Sequence, residues 1–219
     1  MNKFITFEGG EGSGKSTQAK LLEKSFKKLN LKTILTREPG GTDFSEKIRK
    51  IILQKNNSKI SAESELLLIY ASRHEHLEKK IIPNLKKKNV ICDRFIHSTI
   101  CYQIFSNRIP IKKLHILHKN FAYNLFPDIT FYIDIDPKVG IERSQVKNKY
   151  ELKKLNFHKK IRQKYLDLSR RDKNIYKVLT LQEKINNCVL DTIIPDLKII
   201  PSTIDLSAVE VEFSNILKF

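Results

Sequence analysis

Two glycine-rich loops concentrate the residues that could do chemistry. The first, Gly9-Gly10-Glu11-Gly12-Ser13-Gly14-Lys15-Ser16, fits the spacing G-x-x-x-x-G-K-[ST]. In that spacing backbone N–H groups wrap the phosphates of a nucleotide, the Lys15 ammonium reaches the terminal phosphates, and the Ser16 hydroxyl is set to bind Mg²⁺. Six of the seven glycines, Gly9, Gly10, Gly12, Gly14, Gly40 and Gly41, lie in this loop or in Arg37-Glu38-Pro39-Gly40-Gly41-Thr42. Glycine is therefore reserved for backbone that needs it. The motif predicts a bound nucleoside triphosphate and leaves the acceptor open, because motor ATPases, GTPases and small-molecule kinases all share it. No Asn-Lys-x-Asp element for reading guanine is present, which weighs against a GTPase.

The elements that must position these loops follow from the apolar pattern. Phe4 to Glu8 is a short apolar strand that ends in glycines, and from Lys15 to Leu29 the residues Ala19, Leu21, Leu22, Phe26 and Leu29 recur at helical spacing. The helix that follows the loop points the positive end of its dipole at the same anion. Further strands are predicted at Leu31–Thr36, Asn89–Asp93 and Asp128–Asp134, alternating with helices at Phe44–Leu53, at Ala62–Leu85 with an interruption near Pro83, and at 110–125. Continuous apolar strands alternating with helices indicate a parallel sheet covered on both faces, with ligands at the carboxyl ends of the strands. After Pro137 the chain is highly charged, with a basic lid expected over about 143–156, and helix resumes at Phe157–Leu168. A fifth strand is offered by Tyr176–Leu181 or by Leu197–Ile200. The second is favoured, because Asp205–Phe219 would then supply a closing helix and leave about 171–195 as an insertion within a single domain of 1–219.

Composition limits the remaining classes. The formal charge is +17, but Lys and Arg are spread over the whole chain, and clusters such as Lys86-Lys87-Lys88 and Lys153-Lys154 more often form solvated faces than nucleic-acid sites. No nucleic-acid partner is expected, although the field favours polyphosphate ligands. No run approaches the roughly 18 apolar residues of a membrane span, and Met1-Asn2-Lys3 leads straight into the first strand. A soluble, cytoplasmic protein without membrane association is the expectation. Cys92, Cys101 and Cys188 are odd in number and lack metal-ligand spacing, which argues against a disulfide framework or a zinc site.

Taken together, Phe7 to Thr17, Arg37 to Thr42, and Asp93-Arg94-Phe95 with Ser98, Tyr102 and Gln103 strongly resemble bacterial thymidylate kinases, from residue 3 to about 170. The resemblance implies a three-layer P-loop NTPase fold with a five-stranded parallel sheet, flanking helices and a mobile basic lid. It also implies a homodimer that transfers a phosphoryl group from ATP to dTMP with Mg²⁺, giving ADP and dTDP for dTTP synthesis. ATP would be held by Gly9, Gly10, Glu11, Gly12, Ser13, Gly14, Lys15, Ser16 and Thr17. Arg94 would bridge the acceptor phosphate and the transferred group, where a guanidinium binds two oxygens at once. Asp93 with Ser16 would serve Mg²⁺. Arg73 matches an arginine that hydrogen-bonds a thymine carbonyl, Thr99 and Tyr102 line base and sugar with Ser98 and Gln103 nearby, Arg37 and Arg49 are candidates for the acceptor phosphate, and Glu11 faces the sugar 3′-hydroxyl or its water.

Two departures from the family pattern stand out. The position that usually stacks a ring on thymine is Ile69, with Tyr70 beside it, so apolar packing replaces stacking or Tyr70 adapts. The lid pattern Asp-Arg-Ile-Glu reads Asn148-Lys149-Tyr150-Glu151. With no arginine between Gly12 and Lys15, the resemblance implies that transition-state charge comes from Arg143, Lys147 and Lys149. Lysine is a point charge and not a fork, so slower turnover or substitution by Arg143 is expected. Two other readings stay open: another nucleoside monophosphate or deoxynucleoside kinase, and a basic nucleic-acid-binding ATPase.

Overall fold

Continuous apolar runs make the sheet. In the computed structural model, which describes residues 2–54, 60–144, 148–172 and 175–179, Phe4–Gly9 (β1) is buried at every position and is followed by Lys15–Lys28 (α1). Then come Thr33–Arg37 (β2), Asp43–Leu53 (α2), Ala62–His76 (α3), Ile82–Leu85 (α4) and Asn89–Asp93 (β3). Ile96–Thr99 (α5) runs into a π-helical stretch Ile100–Phe105, and Ile111–Phe121 (α6), Ile129–Asp134 (β4), Pro137–Arg143 (α7), Leu155–Arg171 (α8) and Ile175–Leu179 (β5) complete the order.

All pairings are parallel, in the order β2-β3-β1-β4-β5. Successive residues of a strand point to opposite faces, so a sheet covered on both sides needs apolar residues throughout. Phe4, Val90 and Cys92 accordingly pack with Leu66, Tyr70, Leu77, Phe95 and Leu114 on one face. Ile5, Phe7, Ile91, Phe131 and Ile133 pack with Ala19, Leu22 and Phe26 of α1 on the other. Burying a side chain of this size stabilises by roughly 1.5–3 kcal/mol, so the α1 face alone anchors the loop that precedes it.

The register brings the chemistry to one edge. Phe7 and Arg37 both pair with Asp93, which levels the carboxyl ends of β1, β2 and β3. The first loop, the Arg37–Thr42 loop and Asp93-Arg94 all leave the sheet there.

Two expectations need correction. The strand beside β4 is Ile175–Leu179, within the region of the less favoured candidate; Leu197–Ile200 lies outside the described residues, as does most of 171–195. Helix-to-strand connections are short, so the first apolar run after α8 ends at Arg171 is the one that pairs. The interruption of the Ala62–Leu85 helix begins at Leu77, where the Ile82 N–H bonds five residues back to the Leu77 carbonyl. Pro83 lacks an N–H and its ring clashes with the carbonyl one turn earlier, which widens that turn.

Candidate active site

The first loop is shaped by backbone that leaves no room for a side chain at Gly9 and Gly12. Gly12 has φ 65°, and a Cβ there would lie 1.9 Å from the Gly140 carbonyl oxygen. A Cβ on Gly140 would in turn meet the Glu11 carbonyl at 2.4 Å, so loop and α7 touch through backbone. Gly14, at φ 90°, is the N-cap of α1; it supplies no side-chain acceptor, and the first turn carries no acidic residue. Nothing internal competes for the first N–H groups of the helix, which is the arrangement an anion uses. Ser16 and Thr17 are exposed on that first turn, whereas Ser13 is buried.

Lys15 is buried, and its Nζ donates to the Gly10 carbonyl at 2.7 Å. Burial and the Arg94 charge push its pKa down to about 8, despite attraction from Glu11, Asp93 and Glu8. Ser16 Oγ hydrogen-bonds Asp93 Oδ2, while Asp93 Oδ1 is buried without a hydrogen-bond partner. Hydroxyl and carboxylate oxygens with one lone carboxylate oxygen suit a hard divalent cation such as Mg²⁺. Among the described residues there is no group of three His, Cys, Asp or Glu that could hold a metal.

Arg94 joins this loop to a cleft beside it. Its φ of 71° is in the left-handed region that non-glycine residues rarely adopt, held by the Arg94 N–H on the Phe7 carbonyl at 2.9 Å. Its Nη1 donates to the Gly9 carbonyl at 3.0 Å and to Ser98 Oγ at 3.1 Å, its Nη2 to Glu11 Oε1 at 2.9 Å, and the guanidinium stands 5.1 Å from the Tyr102 ring centre. Tyr102 also hydrogen-bonds Glu11 at 3.2 Å. Burial pushes the Glu11 carboxyl up, but Arg94 and Lys15 outweigh it and hold the group below the usual range.

The cleft is lined by Glu11, Arg49, Ile69, Arg73, Arg94, Ser98, Thr99, Tyr102 and Gln103, nine of the ten acceptor residues singled out from sequence. Arg37 is the exception: its side chain is 54% exposed and pairs with Glu46 at 3.0 Å. Arg49 donates to the Pro39 carbonyl at 2.8 Å, and its pKa is lowered by burial and by the nearby Arg37 and Arg94 charges. These cations repel one another, so the region favours a multivalent anion.

Arg73 is fully buried, with Nε on Glu38 Oε2 at 2.7 Å and Nη2 on Thr99 Oγ1 at 2.9 Å; its Nη1 has no hydrogen-bond partner. Burial opposes its charge, but Glu38 prevails and raises its pKa. Glu38 is also bonded by His76 Nδ1 at 3.1 Å, and His76 Nε2 meets Thr36 Oγ1 at 2.7 Å. Gln103 Nε2 donates to Glu65 Oε1 at 2.9 Å and to the Tyr150 hydroxyl at 2.8 Å.

Two residues stand elsewhere than expected. Tyr70 does not adapt to replace the ring missing at Ile69: it is 2% exposed, packed in the core, with its hydroxyl 3.3 Å from His118 Nδ1. Lys149 Nζ ends on Glu65 of α3 and not on the phosphate loop, because a half-buried ammonium takes the nearest carboxylate. Arg143 is exposed at the end of α7, and Lys147 lies outside the described residues. Sequence reasoning also missed the carboxylates that hold the site: Glu38, Glu65, and Glu8, which is fully buried and accepts from the Phe95 N–H at 2.7 Å, the Tyr165 hydroxyl at 3.0 Å and Ser98. For Glu8 the usable signal was a charge at the end of an apolar strand, where a carboxylate must find partners.

A phosphate-binding loop joined through one arginine to a cationic cleft defines a P-loop phosphotransferase. The family model described as thymidylate kinase matches residues 7–193. A thymidylate kinase of Wolbachia pipientis subsp. Culex pipiens (strain wPip) is 46% identical over 195 residues, covering 87% of this chain and 93% of its own. That of Onion yellows phytoplasma (strain OY-M) is 48% identical over 176 residues, covering 77% and 84%. The crystal structure of thymidylate kinase from Ehrlichia chaffeensis has a TM-score of 0.68 and 35% identity, covering 81% of this chain and 92% of that one. The chain belongs to the thymidylate kinase family.

Proposed function

We propose that the protein transfers the terminal phosphoryl group of ATP to dTMP, yielding ADP and dTDP for dTTP synthesis. The observation that carries this is Arg94, hydrogen-bonded at once to the first loop through Gly9 and Glu11 and to the cleft through Ser98. Phosphoryl transfer needs two polyanions brought in line and their charge neutralised. A phosphate monoester is already nucleophilic as its dianion, so no general base is required. Loop N–H groups and Lys15 bind the donor phosphates, and Lys15 leaves the Gly10 carbonyl for a phosphate oxygen. Arg94 and Arg49 orient the acceptor phosphate. Asp93 and Ser16 would hold Mg²⁺, which when bound neutralises charge on the donor phosphate oxygens.

In the cleft, the unpartnered Nη1 of Arg73 suits a base carbonyl. Both amide protons of Gln103 are engaged by Glu65 and Tyr150, so Gln103 offers its carbonyl oxygen, an acceptor for the imide N–H of thymine that cytosine lacks. Glu11 and Tyr102 flank the sugar. Residues 143–156 act as a lid, supported by Lys149 and Tyr150 reaching α3, and exposed Arg143 is a cation available for the transferred group. We assign the protein to the cytoplasm, supported by buried unpaired Cys92 and Cys101. A homodimer is supported by exposed Phe121, Tyr123 and Phe126 around the end of α6, each about half exposed.

A coupled ADP-release assay with dTMP, dUMP, dCMP, dGMP and AMP tests the reading. Release is expected to be greatest with dTMP. Absence of dTMP-stimulated release would sink it, and a better response to another monophosphate would reassign the acceptor.

A further inference from the structure

A flat heterocycle in the cleft needs an apolar wall, and the available rings are few. Of the three aromatic side chains lining it, Phe95 is fully buried with the Arg73 guanidinium 4.6 Å from its ring centre, and Tyr102 carries Arg94 in the same manner. The α3 wall contributes Ile69, which has no ring. The third aromatic residue is Tyr150, from the turn that precedes α8; the Lys149 ammonium stands 5.1 Å from its ring centre, and the ring still borders the cavity.

Tyr150 is built into the wall. Its N–H donates to Asn148 Oδ1 at 2.8 Å, and Glu151 of the same turn accepts from Ser144 Oγ at 3.0 Å, so the turn is tied at both ends. Its hydroxyl donates to Glu65 and accepts from Gln103 Nε2 at 2.8 Å. Burial, and then the Glu65 charge, raise the pKa of that hydroxyl, which therefore stays a donor at neutral pH. The ring meets Tyr102 edge to face at 5.3 Å and packs against the cluster of Ile48, Ile52 and Ile69. The cleft remains open with Tyr150 in place, bordered by it together with Arg49, Arg73 and Arg94, so the ring lines the cavity and does not plug it.

We propose that Tyr150 is a specificity-determining residue for the acceptor: its ring forms the aromatic wall on which the nucleobase rests, while its hydroxyl and Glu65 fix Gln103. The inference rests on the cleft being the acceptor site. Tyr150 touches the base and not the reacting phosphates, so its removal acts on the KM of the acceptor and spares that of ATP.

The chain has no tryptophan, so Tyr150→Trp introduces a single indole at the wall, excited selectively at wavelengths where the tyrosines do not absorb. Titration with dTMP is expected to quench its emission in a saturable manner, whereas ATP alone is not. In parallel, Tyr150→Leu is expected to raise the KM for dTMP about tenfold or more, the scale of losing one base–aromatic contact, with kcat and the KM for ATP within about threefold of the parent. Tyr150→Phe keeps the ring and loses only the hold of the hydroxyl on Gln103, so its dTMP KM is expected to rise about threefold, well short of the rise in Tyr150→Leu. A purely structural role would instead lower thermal stability and move both KM values together. An indole blind to dTMP, or a dTMP KM unmoved in Tyr150→Leu while the parent turns dTMP over, would overturn the role of Tyr150 alone. A parent protein that does not use dTMP would overturn the reading of the cleft and this inference with it.

Discussion

Replacing Glu38 by Gln isolates the charge that holds Arg73 in place. The pair is almost fully buried, with Arg73 1% and Glu38 4% exposed and Nε to Oε2 at 2.7 Å. Gln keeps the shape but leaves a buried guanidinium without its counter-charge, a change that costs about 3–5 kcal/mol. In a domain of this size each kcal/mol moves Tm by about 2–4 °C, so Glu38→Gln should melt about 6–20 °C below the parent at pH 7.5 by circular dichroism. The pH dependence supplies a second readout. Burial pushes the Glu38 carboxyl up, yet Arg73 and His76 outweigh it, so its pKa is lower folded than unfolded. A depressed carboxyl pKa contributes stability that is fully present above the unfolded value of about 4.3 and is lost as pH falls through the folded value. The Tm gap between parent and variant should therefore narrow as pH falls below about 4.5. The KM for dTMP should rise as well, because Arg73 loses its anchor. A Tm within about 2 °C of the parent across this range would refute the assignment of Glu38 as the buried counter-charge.

Other consequences follow from the same geometry. Lys15, at a pKa of about 8, is partly neutral above that pH, and a bound polyphosphate restores its charge; ATP binding at pH 8.5 should take up protons, measurable by calorimetry in buffers of different ionisation enthalpy, and proton release would contradict the burial of Lys15. Gly12→Ala would press a Cβ into the Gly140 carbonyl, and since a misplacement of about 1 Å can cost on the order of 100-fold, kcat/KM for ATP should fall by about that factor; a parent-like value would show the contact to be dispensable. Because Lys149 ends on Glu65, Lys149→Ala should alter the dTMP KM more than kcat, whereas Arg143→Ala should lower kcat; the reverse pattern in single-turnover kinetics would return Lys149 to the transferred phosphoryl group.

Much of the site was legible because its parts are local. Gly12, Gly14, Lys15 and Ser16 declare the phosphate loop by type and spacing, and β1, β3 and β4 declare themselves as unbroken apolar runs. What was not legible depends on distant partners. Glu38 and Arg73 are 35 residues apart and Lys149 and Glu65 are 84 apart, so no window of sequence reveals which charges are buried together. The left-handed backbone of Arg94 is imposed by the strand edge, and no composition signal accompanies it. The location of the fifth strand turned on a connection length: a closing helix at Asp205–Phe219 favoured Leu197–Ile200, whereas the run directly after α8 is the one that pairs with β4. Ile69 and Tyr150 illustrate the same point: the departures at both positions were visible one by one, but only the fold brings them to one cleft.

The central claim is that a phosphoryl group passes from ATP to dTMP across Arg94. Chromatographic separation of the nucleotides after incubation with ATP, Mg²⁺ and dTMP tests it directly. The expected result is dTDP and ADP in equal amounts from the parent, and kcat/KM lowered by about 100-fold or more in Arg94→Ala, the scale of removing one fixed donor from a transferring group. ADP formed without dTDP, or an undiminished rate in Arg94→Ala, would contradict it.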